Sequence, residues 1–192
     1  MTIRTFFDTA VTQAPDAPAQ RFFQDGQWTT RSYRALRERV MRAVSLVQQL
    51  GIEPGRQQVA LMLENSPEWQ EIYLALACAG VAAVPLDPKL REQEITHILA
   101  DSESVAIFAG AKSRDVVLRA LADLPGVRAV IWVGEGDADA ADGADGRTHR
   151  SYNACMAQAD AASLRAAEAW LTVHAPHPGD IASIIYTSGT TG

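Results

Sequence analysis

The residues whose types and spacing could do chemistry are Thr187-Ser188-Gly189-Thr190-Thr191-Gly192. Thr187, Ser188, Thr190 and Thr191 supply hydroxyls that can donate to anionic oxygens. Gly189 and Gly192 permit positive φ and a close approach of another group to the backbone. Successive backbone N–H groups in such turns form an anion-binding nest. The chemistry on offer is phosphate binding. The stretch is not a Walker A loop, because GxxxxGK(S/T) is absent and it holds no lysine. A linker or frayed tail has the same composition, so composition alone does not decide between the two.

Such a loop needs elements to place it. The run Ile181 to Tyr186 reads as a closing strand that feeds the turn. Upstream, strands and helices alternate. QVALMLE, VAAVPLD, SVAIFAG and VRAVIWVG are short, continuously apolar strands. NSPEWQEIYLALACAG, REQEITHILADS and SRDVVLRALADL are helical between them. Continuous rather than alternating apolarity predicts a mostly parallel sheet covered by helices on both faces, an α/β fold. Before these, Leu36, Val40, Ala43, Val47 and Leu50 recur in steps of three and four on a helix capped by Ser32. AQRFFQDGQWTT reads as a hairpin about Asp25-Gly26. Ser66 caps a helix with Pro67 at its first position, and Trp69, Ile72, Tyr73 and Leu76 form that helix's inner face. SYNACMAQADAASLRAAEAWL reads as one further helical piece. The predicted organisation is a helix/hairpin/helix segment over 1–55 and an α/β unit over 56–192. A Gly/Ala/Asp-rich flexible loop is expected at 134–149.

Composition narrows the function classes. The 192 residues hold 47% hydrophobic and 21% charged residues, with a net charge of −6. An acidic chain is a poor nucleic-acid binder. Arg31, Arg34, Arg37, Arg39 and Arg42 do cluster, and read as the solvated face of a helix, with a nucleic-acid or anionic-lipid patch as the alternative. Cys78 sits in an apolar run as a core residue, and no metal spacing includes it or Cys155. Prolines separate His174 and His177 from a shared helix face, so no metal site is read there. The acidic Gly-Asp run lacks EF-hand spacing. The N-terminus carries no secretion signal, and no apolar stretch reaches the ~18–20 residues of a membrane helix. A cytoplasmic location with reduced thiols is expected. Asn65, Glu68, Asp87 and Asp101 read as caps and turn formers, and no residue reads as catalytic.

YTSGTTG, Tyr186 to Gly192, resembles the start of the AMP-binding signature of the adenylate-forming superfamily. That superfamily includes acyl-CoA synthetases, peptide-synthetase adenylation domains and luciferases. WTTRSYRALRERVMRAVSLVQQLGIEPG resembles the family's early helix and Leu-Gly turn. VALMLENSPEWQEIYLALACAGVAAVPLDPKLREQEITHILADS resembles its strand–helix–strand block. The likeness spans nearly the whole chain and is weakest over 134–175. Gly55-Arg56 departs from the family's usual Gly-Asp.

The resemblance implies activation of a carboxylic acid by ATP and Mg²⁺ as an acyl-adenylate, followed in the ligases by transfer to CoA. It assigns phosphate binding to Thr187, Ser188, Gly189, Thr190, Thr191 and Gly192. PLDPKLREQEI looks more like acyl- or aryl-CoA ligases than peptide synthetases, whose adenylation domains are the alternative, beside a non-catalytic interaction module. The signature's Pro-Lys does not follow Gly192. The chain is therefore expected to be an N-terminal fragment, inactive alone, that self-associates through an apolar face.

Overall fold

The helix and hairpin signals form as the residue types dictate. In the computed structural model, which describes residues 1–134 and 145–187, the Ser32 and Ser66 hydroxyls accept from Ala35 and Trp69 N–H, each at 3.3 Å. The described elements are α1 (Ile3–Gln13), β1 (Pro18–Gln24), β2 (Gln27–Ser32), α2 (Tyr33–Gln49), β3 (Gln58–Met62), α3 (Pro67–Ala79), β4 (Ala82–Pro85), α4 (Glu92–Asp101), β5 (Ser104–Gly110), α5 (Arg114–Leu121), β6 (Ala129–Val133), β7 (Thr148–Ser151), α6 (Tyr152–Gln158) and α7 (Ala161–Val173). A single 3-10 turn, Ala111–Ser113, joins β5 to α5. Strands β1 and β2 pair antiparallel across Asp25-Gly26, with φ of 51° and 78°. Both positive values suit a tight two-residue hairpin turn.

The main sheet runs β4-β3-β5-β6-β7, with every pairing parallel. Its strands are apolar on both sides because both sides are buried. Val59 and Leu61 of β3, Ala106 and Phe108 of β5, and Ile131 of β6 face the core beneath α2, α3, α6 and α7. Ala60, Met62, Ile107, Ala109, Val130 and Trp132 alternate onto the opposite core, beneath α4 and α5. That is the α/β fold expected, with helices on both faces.

Three expectations about the elements themselves need correction. The run from Ile181 is not a strand. It meets β4 through one parallel bridge, Ala83 with Ser183. Ala83 N–H donates to Ala182 O at 3.0 Å, and Ile184 N–H donates to Ala83 O at 2.9 Å. The next ladder bond on that side would come from Pro85, which has no N–H. Second, the helical piece after Ser151 breaks in two. Asp160 accepts from Ala162 and Ser163 N–H and starts α7, while Arg42 donates to Met156 O and Ala159 O at the end of α6. Third, the loop expected at 134–149 gives way at its end to β7, parallel to β6. Positions 135–144 of that expected loop lie outside the described residues.

The arginine cluster is a solvated face only in part: Arg34 is exposed, whereas Arg31 and Arg39 turn inward to one carboxylate. Glu71 is fully buried on α3. It pairs with Arg31 at 2.5 Å and Arg39 at 2.9 Å, and accepts from the Tyr152 hydroxyl. Arg34 pairs with Asp16 and Arg37 with Glu168. These guanidinium groups join elements to one another.

Candidate functional site

The segment that launches the hydroxyl-rich loop runs beside β4 and is held from both faces. On the α3 side, Tyr73 and Ser183 share a hydrogen bond of 2.8 Å. Tyr73 is itself stacked on Trp69 at 5.1 Å. On the α4 side, the Tyr186 hydroxyl donates to Asp101 Oδ2 at 2.5 Å. This bond, with partial burial and the carboxylate's charge, pushes the Tyr186 hydroxyl up to about 12. Ile184 and Tyr186 pack on the core beneath α4 and α5.

The bridge sets the direction of travel. With Ser183 level with Ala83 in parallel register, the segment at that point runs in the direction of β4, toward its carboxyl end. Thr187 is exposed. Of the residues read as a phosphate loop, Thr187 alone is described. Ser188, Gly189, Thr190, Thr191 and Gly192 lie outside the described residues.

The same end of the sheet carries a crevice. The chain builds β4 to one side of β3 and then crosses to build β5 on the other, so the strand order reverses between β3 and β5. In open α/β sheets ligands bind outside the carboxyl ends of the strands at such a reversal. A cavity of about 560 Å³ opens there, lined by Met62, Glu64, Ser66, Lys112, Ser113 and Val133 among others. Lys112 faces Glu64 at 3.7 Å across it, with both side chains largely exposed. An exposed ammonium on the cavity that Ser66, at the start of α3, also lines can receive an anionic group. Lys112 carries no local signal, because only the parallel crossover brings it to the cavity that Ser66 also lines.

A larger cavity, about 780 Å³, lies at the amino ends of β6 and β7. Its polar groups are engaged structurally. Arg147 donates to the carbonyls of Val127, Leu121 and Leu124 and to Asp145. Trp132 Nε1–H donates to His149 Nδ1 at 3.2 Å, which leaves Nε2 to carry hydrogen toward Asp145 at 3.2 Å. Burial pushes the Asp145 carboxyl up, but the hydrogen bonds from Arg147 and His149 outweigh it and hold it low.

The remaining polar candidates have local roles. Asp87 Oδ1 accepts from Lys89 N–H at 2.9 Å, as a turn former should. Asp101, also read as a cap, instead receives Tyr186. His174 Nδ1 lies 2.9 Å from Trp170 O, and His177 N–H donates to Asp180. Cys78 is buried as read.

Comparison with known proteins then decides the family. The family model described as AMP-binding enzyme matches residues 7–192. The chain belongs to the AMP-binding enzyme family. A long-chain-fatty-acid–CoA ligase of Mycobacterium tuberculosis, FadD13, is 32% identical over 163 residues, covering 84% of this AMP-binding chain and 28% of that protein. Surfactin synthase subunit 3 of Bacillus subtilis is 32% identical over 187 residues, covering 97% of this chain and 12% of that protein. The crystal structure of the anthranilate CoA ligase AuaEII with anthranoyl-AMP superimposes with a TM-score of 0.78, over 100% of this chain and 33% of that one. At 21% identity that likeness shows the fold. The AMP-binding chain spans a third or less of the length of these three proteins. Among its described residues no helix is long and apolar enough to cross a membrane.

Proposed function

We propose that this chain carries the phosphate-loop portion of an ATP-dependent acyl-CoA synthetase. In that reaction a carboxylate oxygen attacks the α-phosphorus of ATP, forming the acyl-adenylate and releasing pyrophosphate. The CoA thiolate then attacks the acyl carbon and AMP leaves. One observation supports the reading: the bridge of Ser183 to Ala83 sets the segment that precedes Thr187 alongside β4, running in that strand's direction. Thr187, Ser188, Thr190 and Thr191 hydroxyls would hold the β- and γ-phosphates, and Gly189 and Gly192 would let backbone N–H groups approach them. Mg²⁺ would arrive on the phosphates, needing few protein ligands, and would neutralise charge as pyrophosphate departs. The full activity belongs to an enzyme of the relatives' length, and the 192 residues alone are proposed to be inactive.

The reading includes a cytoplasmic location. It also includes self-association, supported by Ile181 and Ile185, exposed at 66% and 72%. Sedimentation that shows only monomer across a wide concentration range would remove self-association. A second reading, a peptide-synthetase adenylation domain, is favoured by the likeness to surfactin synthase over 97% of the chain. The two share adenylate formation and differ in the thiol acceptor.

Calorimetric titration of Mg–ATP into the chain tests the loop. Weak, saturable heat is expected, and it should vanish in Thr190→Ala and Thr191→Ala. A flat trace for the wild-type chain defeats the phosphate-loop reading.

A further inference from the structure

Asp101 stands where helix electrostatics disfavour it. It is the last residue of α4, and the carboxyl end of a helix carries partial negative charge that favours cations over carboxylates. Helix stability therefore does not explain this side chain. Its partner does. The Tyr186 hydroxyl crosses 85 positions of sequence to donate to Asp101 Oδ2 at 2.5 Å, a charge-assisted bond of the strong kind.

Tyr186 immediately precedes Thr187, where the loop begins. Among the described residues, two backbone bonds tie the segment to β4, both at Ala83, and Pro85 ends the ladder there. Past Ile184 the path of the chain must be set by side chains. Ser183 is tied to Tyr73 on one face of the sheet, and Tyr186 to Asp101 on the other. A segment fixed at both faces cannot roll about its own axis. A segment fixed at Ser183 alone could.

We propose that Asp101 and Tyr186 are positioning residues, whose hydrogen bond fixes the course of the chain from Ile184 to Thr187. The functional half of the inference rests on the proposed phosphate-loop reading. A preset loop spends less ordering entropy when a ligand arrives, so the bond should act on affinity.

The test uses Tyr186→Phe, Asp101→Ala and Asp101→Asn, and the double variant Tyr186→Phe/Asp101→Ala, in the full chain. Amide hydrogen exchange at Ile184 to Thr187 and calorimetric Mg–ATP affinity are measured beside the thermal midpoint. Exchange should accelerate roughly tenfold in Tyr186→Phe and Asp101→Ala, and less in Asp101→Asn, whose amide oxygen still accepts. The double variant should match either single, because one bond is lost in each. The midpoint should hold or rise in the Asp101 variants, since a carboxylate leaves the helix end. Mg–ATP affinity should fall by about fivefold to tenfold with the exchange. Unchanged exchange, or a double variant equal to the product of the singles, overturns the proposal. So does equal Mg–ATP affinity in wild type and variants. If exchange responds as expected while wild type takes up no Mg–ATP, the anchor stands and the phosphate-loop reading fails.

Discussion

The Tyr152 hydroxyl donates to Glu71 Oε2 at 2.9 Å, joining α6 to α3 across 81 positions of sequence. The same carboxylate receives Arg31 and Arg39, and Arg31 also donates to Gln20 at 2.6 Å. The hairpin, α2, α3 and α6 therefore meet at one buried acid. Burial and the Glu71 charge together drive the Tyr152 hydroxyl well above its ordinary range.

Removing Glu71 should unfasten this junction. Glu71→Ala leaves two guanidinium groups and a buried hydroxyl without their acceptor, and is expected to cost about 3 kcal/mol. For a chain of this size that lowers the thermal midpoint by roughly 6–12 °C. Tyr152→Phe should cost less, about 1–2 kcal/mol. A Glu71→Ala midpoint within error of wild type would show that the arginines find equivalent partners.

The two thiols should differ in reactivity. Burial pushes Cys78 up to about 12 from 9.0, and a thiol reacts as its thiolate. Under native conditions at pH 8, a disulfide reagent should leave Cys78 unmodified until the chain is unfolded. Because the folded value is raised, the contribution of Cys78 to stability is complete below 9 and is lost as pH climbs toward 12. Mass spectrometry of peptides after timed labelling checks the first point, and urea midpoints across alkaline pH check the second.

Acid should loosen the start of β7. Arg147 and His149 hold the Asp145 carboxyl below its ordinary value of 3.8. A lowered folded value means a contribution present above 3.8 and lost as pH falls through the folded value. Asp145→Asn should remove that part of the acid dependence. Fluorescence of Trp132, which donates to His149, reports the change locally. Identical acid profiles for Asp145→Asn and wild type would exclude this role.

Gly80 ends α3 in the left-handed region, with φ of 70°. A Cβ there would meet Pro176 at 3.6 Å, an ordinary contact, so backbone strain is the main cost. Gly80→Ala should destabilise by about 1 kcal/mol in chemical denaturation. A neutral result would mean that the turn into β4 relaxes out of that conformation.

Much of the sheet was legible because each signal was local. SVAIFAG is β5 to the residue, Ser104–Gly110, since an apolar run between polar turns can bury both faces only inside a parallel sheet. Thr148–Ser151 was not legible as β7. Thr, His, Arg and Ser offer no apolar run, and His149 is buried only because Trp132 and Asp145 give its two nitrogens partners. Glu71 was hidden for the same reason: a glutamate on a helix reads as solvent-facing until distant arginines arrive.

The sequence by itself determined the alternation of strands and helices, the caps at Ser32 and Ser66, and the hydroxyl-and-glycine composition of Thr187 to Gly192. These depend on neighbours within a few residues, where sterics and periodicity act directly. Tertiary structure alone decided that Asp101 would hold Tyr186 and that Pro85 would end the ladder beside Ile184. It also decided that Lys112 would face Glu64 across the strand-order reversal. Each of those joins groups far apart in sequence, and only the packing of the parallel crossovers sets the distance between them.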